Sequence, residues 1–159
     1  MRKKARKILL ILPAISLLFL AGGAWAGTES LNMSVSANVV SGCQITGKTD
    51  VAFGFYDPTD KFDNDAGVGD FRFRCSKTIV YWTYVTGARQ MIGTSGDILD
   101  FELYKEPARV TPVESIKTGP GAVSPGVAEQ TVMLYGRIPA KQNIKIGGYS
   151  ATLQVVVEY

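Results

Sequence analysis

The segment from Leu31 to Val40, LNMSVSANVV, most constrains what this chain can fold into. Leu31, Met33, Val35, Ala37 and Val39 alternate with Asn32, Ser34, Ser36 and Asn38. Successive side chains of a β-strand point to opposite sides, so this pattern gathers the apolar residues on one face. No hairpin partner precedes the segment. A long amphipathic strand with exposed backbone groups has to pair with something. It can join the sheet of its own domain, or it can reach into a second molecule, which would make the chain a link in a polymer.

What precedes this segment reads as an export signal. Arg2, Lys3, Lys4, Arg6 and Lys7 are followed by an apolar run from Ile8 to Leu20 and then by small residues ending in Ala24, Trp25 and Ala26. A basic start, an apolar centre and a small-x-small end describe a secretory leader, here cut between Ala26 and Gly27. The run is short of the roughly 20 residues of a membrane span, and Pro13 interrupts it. The expected organisation is a leader at 1–26, an N-terminal strand segment at 27–42 and one domain at 43–159.

Removing the leader reverses the charge. It holds five of the 17 basic residues and none of the 14 acidic ones, which leaves 12 against 14, a net charge of −2. The basic character of the whole chain belongs to the leader and argues for neither nucleic acid nor an acidic membrane as partner. The 133 residues that remain of 159 suit one domain with a respectable core. Both cysteines, Cys43 and Cys75, lie in the exported part, where a disulfide is the default.

Strand-like runs recur along the mature chain, and no window has a convincing helical period. Val51 to Phe55, Thr78 to Val85 and Thr131 to Ile138 are apolar or β-branched. Phe71 to Cys75 and Leu99 to Leu103 alternate, and from Tyr149 to Tyr159 the odd positions share one face. About seven to eight short strands with Gly, Pro, Asp and Asn between them indicate an all-β sandwich or barrel. Three segments read as loops: an acidic one from Asp57 to Gly67, a glycine-containing one from Gly87 to Gly96, and one from Glu106 to Gly126 with four prolines. The last is long enough to be a mobile flap.

Catalytic chemistry is poorly supplied. The chain has no histidine, so Ser-His-Asp, Cys-His and histidine-based metal sites are excluded. An oxidised cysteine pair leaves no thiol nucleophile, and the dinucleotide and P-loop motifs are missing. Asp100 and Glu102 alternate with Leu99, Phe101 and Leu103, which places them on the solvated face of a strand. The aspartates 57, 60, 63 and 65 invite a calcium reading. Counted from Asp63, however, the sixth and twelfth positions of a calcium-binding loop are Val68 and Arg74 instead of Gly and Glu. Tyr81, Trp82 and Tyr84 are candidates for a ligand platform, or else core plus one sheet face. No cofactor, metal site or enzymatic activity is expected.

The order of several motifs resembles the spore coat protein U domain, which also forms the subunits of archaic chaperone–usher pili. The motifs are Ser-Gly-Cys43, VAFGFY at 51–56, Cys75, LDFELY at 99–104, YGRIP at 135–139, Gly148-Tyr149 and a terminal strand ending in Tyr159. The resemblance covers essentially the whole mature chain and departs at Ala151, where an Asp is expected. It implies an incomplete immunoglobulin-like β-sandwich, completed by a donor strand from another subunit. It also implies a periplasmic chaperone, an outer-membrane usher and neighbouring pilus subunits as partners. The donor face would be Leu31, Met33, Val35, Ala37 and Val39. The expected function is that of a structural subunit of an extracellular fimbria serving adhesion or biofilm formation, exported through the periplasm. The alternatives are a stand-alone secreted coat protein that completes its own sandwich, and a periplasmic ligand-binding β-barrel.

Overall fold

The computed structural model describes residues 28–159, and the leader with its expected cleavage point at Ala26 and Gly27 lies outside them. The described residues contain ten strands: β1 (Cys43–Ala52), β2 (Val68–Cys75), β3 (Val80–Thr86), β4 (Gln90–Gly93), β5 (Ile98–Asp100), β6 (Glu102–Tyr104), β7 (Ala122–Val123), β8 (Gln130–Arg137), β9 (Tyr149–Ser150) and β10 (Gln154–Glu158). They form antiparallel sheets in the orders β1-β2-β8-β6, β10-β3-β7 and β5-β4-β9. The domain is an all-β, immunoglobulin-like sandwich, and its compact unit runs from Asn38 to Tyr159.

The core follows from alternation. β2 sends Phe71, Phe73 and Cys75 inward and Arg72 and Arg74 outward. Across the sandwich the Phe73 ring meets Tyr81 of β3 edge-to-face, with centroids 5.1 Å apart. Val85, Leu99, Phe101, Leu103, Leu134 and Ile138 complete the buried centre. The expected disulfide is present: Cys43 and Cys75 are direct cross-strand partners, and the bond staples the first residue of β1 to the last of β2.

Several strands differ from the sequence reading. Leu99 to Leu103 is one alternating run that serves two sheets: β5 pairs with β4 while β6 pairs with β8. Phe101 sits between them with its N–H bonded to the Arg89 carbonyl at 3.0 Å. β4 lies inside the segment expected to be a loop. The terminal run breaks at 151–153, leaving β9 and β10 in different sheets. The run expected at 51–55 is only the end of a longer strand, β1 at 43–52, and the chain leaves the ladder after Ala52.

The proline-rich loop is pinned. Arg109, at φ 54°, donates to the carbonyls of Gly136 at 3.0 Å and Pro107 at 2.8 Å, and to the Asp65 carbonyl. The Glu106 carboxylate accepts from the amides of Val110 at 2.9 Å and Thr111 at 2.6 Å. Further on, β7 pairs with β3.

The segment expected to be the donor has a different state. Residues 28–42 form no strand. Leu31, Met33, Val35 and Val39 are between 86% and 96% exposed, and Ala37 is exposed as well. A strand is held by its ladder, and without a partner the alternating pattern has no hydrogen-bonding reason to become one.

Candidate functional site

The sandwich is open along one side. β1 is the outer strand of the four-stranded sheet and β10 the outer strand of the β10-β3-β7 sheet. Neither contributes a fully buried residue to the core, although β2, β3, β6 and β8 all do. Between them lies an open cleft of about 1120 Å³. Its floor is the core itself: Val85, Leu99, Phe101, Leu103, Leu134 and Ile138.

One wall begins with β1 and continues through Phe55. The β1–β2 register shifts between Thr49 and Ala52. Gly69 permits this bulge, since a Cβ there would come within 2.7 Å of the Thr49 carbonyl oxygen and of a Val51 methyl. The bulge turns Val51 and Phe53 over the sheet. The Phe53 ring lies on Gly67 and Gly136, where a side chain would collide with it. It also meets Phe101 edge-to-face at 5.9 Å. Phe55, one step further on, lines the cleft and is fully exposed.

The opposite wall is Ile144 to Leu153 and then Val155 of β10. Within it β9 pairs with β4, and side chains hold the chain that leads into it. The Tyr56 hydroxyl donates to the Pro139 carbonyl at 2.9 Å and accepts from the Gln142 amide at 3.0 Å. The Gln142 side chain pairs with the Asp100 backbone, accepting from its N–H at 2.7 Å and donating to its carbonyl at 2.8 Å. In effect it caps the free edge of β5. Asp97 accepts from the Lys145 amide at 3.0 Å, and this bond leads the causes that lower its pKa. Ile146, at the rim, is fully exposed.

The other candidate groups are engaged in holding the fold. Asp65 takes a bidentate ion pair from Arg137 at 2.7 and 2.8 Å. The hydrogen bond from Arg137 lowers the Asp65 pKa, with the Arg109 charge adding to it. Asp63 accepts from the Ala140 amide at 2.9 Å, and Asp57 from both the amide and the hydroxyl of Thr59. Asp60 accepts from the Phe62 amide at 3.2 Å. Among the described residues no group of three His, Cys, Asp or Glu side chains is placed to hold a metal ion.

Asp100 accepts from Gln90 at 2.9 Å, and Glu102 from Arg89 at 3.2 Å. Of the three aromatics, Tyr81 is buried and donates to Gln130. Trp82 has the Lys117 ammonium 3.6 Å from its ring centroid and donates to the Gly119 carbonyl at 3.0 Å. The Tyr84 hydroxyl donates to Glu158 at 2.9 Å. The proline-rich loop thus closes over Trp82, and the three rings do not form one open platform.

An open core flanked by two strand edges that have no partner among the described residues, with a cross-strand disulfide at the start of β1, agrees with what the sequence resembles. The family model of the spore coat protein U domain matches residues 29–156. This chain belongs to that family. The match begins before β1, so the exposed alternating segment is part of the spore coat protein U domain as the family defines it. Compared with curated proteins, the chain has no significant match.

Proposed function

We propose that this spore coat protein U domain is a structural subunit of an extracellular pilus. In this reading it is assembled by the chaperone–usher route, with Leu31–Val40 of one subunit filling the cleft of the next. The observation that carries the reading is the pair of outer strands, β1 and β10, which contribute nothing fully buried around an apolar cleft.

The chain carries in its own N-terminal segment what the cleft lacks. Leu31, Met33, Val35 and Val39 would cover Leu103, Leu134 and their neighbours, and the backbone would pair with free strand edges. Burial at about 1.5–3 kcal/mol per large side chain gives a gross term on the order of 6–12 kcal/mol before ordering costs. Ala37 marks a shallow position. Nine residues from Leu31 to Val39 extend roughly 30 Å, close to the reach of the ten residues of β1.

The leader at 1–26 would deliver the chain to the periplasm. A chaperone would shield the cleft there, and an outer-membrane usher would exchange the chaperone for the next subunit. A domain that carries its own donor suits a shaft or adaptor position. Adhesion or biofilm formation is the role of the filament. Among the described residues, Asp65, Asp63 and the aromatic strands are committed to holding the fold.

A second reading uses the same opening. A stand-alone coat protein would fold its own segment into its own cleft. Size-exclusion chromatography of the mature protein separates the two: a ladder of polymers, or folding that depends on a chaperone, supports the pilus reading. A stable, freely soluble monomer with protected cleft amides contradicts it.

A further inference from the structure

We propose that Ser76 is a positioning residue that steers the donor segment away from its own cleft and toward that of another copy. This rests on the donor-strand reading above and adds a device that selects between partners. Ser76 follows the last residue of β2, and Gly42 precedes the first residue of β1. The Ser76 amide donates to the Gly42 carbonyl at 2.8 Å, and the Gly42 amide donates to Ser76 Oγ at 3.1 Å. The hydroxyl proton of Ser76 has two acceptors in reach, the Gly42 carbonyl at 3.3 Å and the Val40 carbonyl at 3.4 Å. Residues 40–42 are therefore tied to the β2 side of β1, beyond the Cys43–Cys75 staple.

Entry into the chain's own cleft requires a reversal before β1, so that the segment runs back along the free edge of that strand. A reversal within residues 40–42 breaks the Ser76 bonds. A reversal upstream of Val40 uses Asn38 and Val39 as the turn and removes Val39 from the apolar face. Insertion into another copy has neither cost, because the linker stays as it is. Each net hydrogen bond kept is a factor of about two to ten in the equilibrium.

The test refolds a mixture of isotope-labelled and unlabelled mature chains, each with a photo-crosslinking residue in place of Val35, without chaperone. Mass spectrometry then counts crosslinks within a chain against those joining a labelled to an unlabelled chain. Ser76→Ala should raise the within-chain share about two- to tenfold, and Ser76→Thr, which keeps the hydroxyl, should stay near the wild-type ratio. Four glycines inserted between Val40 and Ser41, outside both strands, should shift the ratio the same way and decide the matter if Ser76→Ala does not fold. Equal ratios in wild type, Ser76→Ala and the insertion overturn the steering role and leave the donor reading standing. Crosslinks from position 35 that never reach the cleft in any variant remove both.

Discussion

The ring of Phe53 rests on Gly136, in space that any Cβ at that position of β8 would enter. The contact couples the bulged end of β1 to the middle of the four-stranded sheet and sets the height of the cleft wall. Gly136→Ala should expel the ring and destabilise the domain by about 1–3 kcal/mol, the usual range for forcing a methyl into a filled site. Denaturant unfolding measures it. The double variant Gly136→Ala with Phe53→Ala should recover part of the loss, and additive losses would contradict the contact.

Cys43 and Cys75 close a loop of sequence separation 32 at the root of the N-terminal segment. Cys43→Ser should lower stability by about 2–5 kcal/mol and reduce assembled material. In the exported wild-type protein, mass spectrometry should find Gly27 as the first residue and a mass two hydrogens below the reduced value. A retained leader or two alkylatable thiols would contradict the export reading.

The Asp65 pair with Arg137 makes stability depend on pH in a defined direction. The hydrogen bond from Arg137 holds the folded-state pKa of Asp65 below its ordinary value of 3.8. A carboxylate with a lowered folded pKa contributes stability that is complete above its unfolded value and is lost as pH falls through the folded one. Unfolding titrations should therefore show this contribution flat from neutral pH to about pH 5 and declining below pH 4. Asp65→Asn should flatten that acid limb. An unchanged limb would mean that other carboxylates carry it.

Calcium should leave the melting temperature unchanged, because Asp57, Asp60, Asp63 and Asp65 are bonded to backbone amides or arginines. A rise of several degrees with calcium that disappears in Asp63→Ala with Asp65→Ala would contradict this.

How far the sequence could be read depended on where burial was one-sided. β2 was plain because Phe71, Phe73 and Cys75 face a closed core and Arg72 and Arg74 face water. β1 was hidden between Cys43 and Asp50 because neither face meets a filled core, so no alternation is imposed there. β4 was lost among glycines and polar residues, and the switch at Phe101 leaves no mark in a run that alternates throughout. The cleft has no pattern of its own in the sequence; only under the proposed function does the apolar face from Leu31 to Val39 stand as its complement. The far wall of the cleft was not legible either, since the chain leading into it is held by Tyr56, Gln142 and Asp97 through side-chain to backbone bonds that have no period, and only the two residues of β9 within it join a ladder. Arg109 and Ser76 escaped for the same reason.

The central claim is most directly tested at Val35, in the middle of the apolar face. Each variant is expressed with its chaperone, and polymer is scored on non-dissociating gels. Val35→Asp would place a carboxylate in an apolar cleft at a cost of several kcal/mol. It should abolish polymer while leaving the chaperone-bound monomer folded. Ser34→Asp and Ser36→Asp, one residue away on the opposite face, should polymerise nearly as wild type, because a shift of one residue exchanges the faces. Equal polymer from Val35→Asp and wild type would contradict the account. Loss of the folded monomer itself would show instead that the segment completes its own domain.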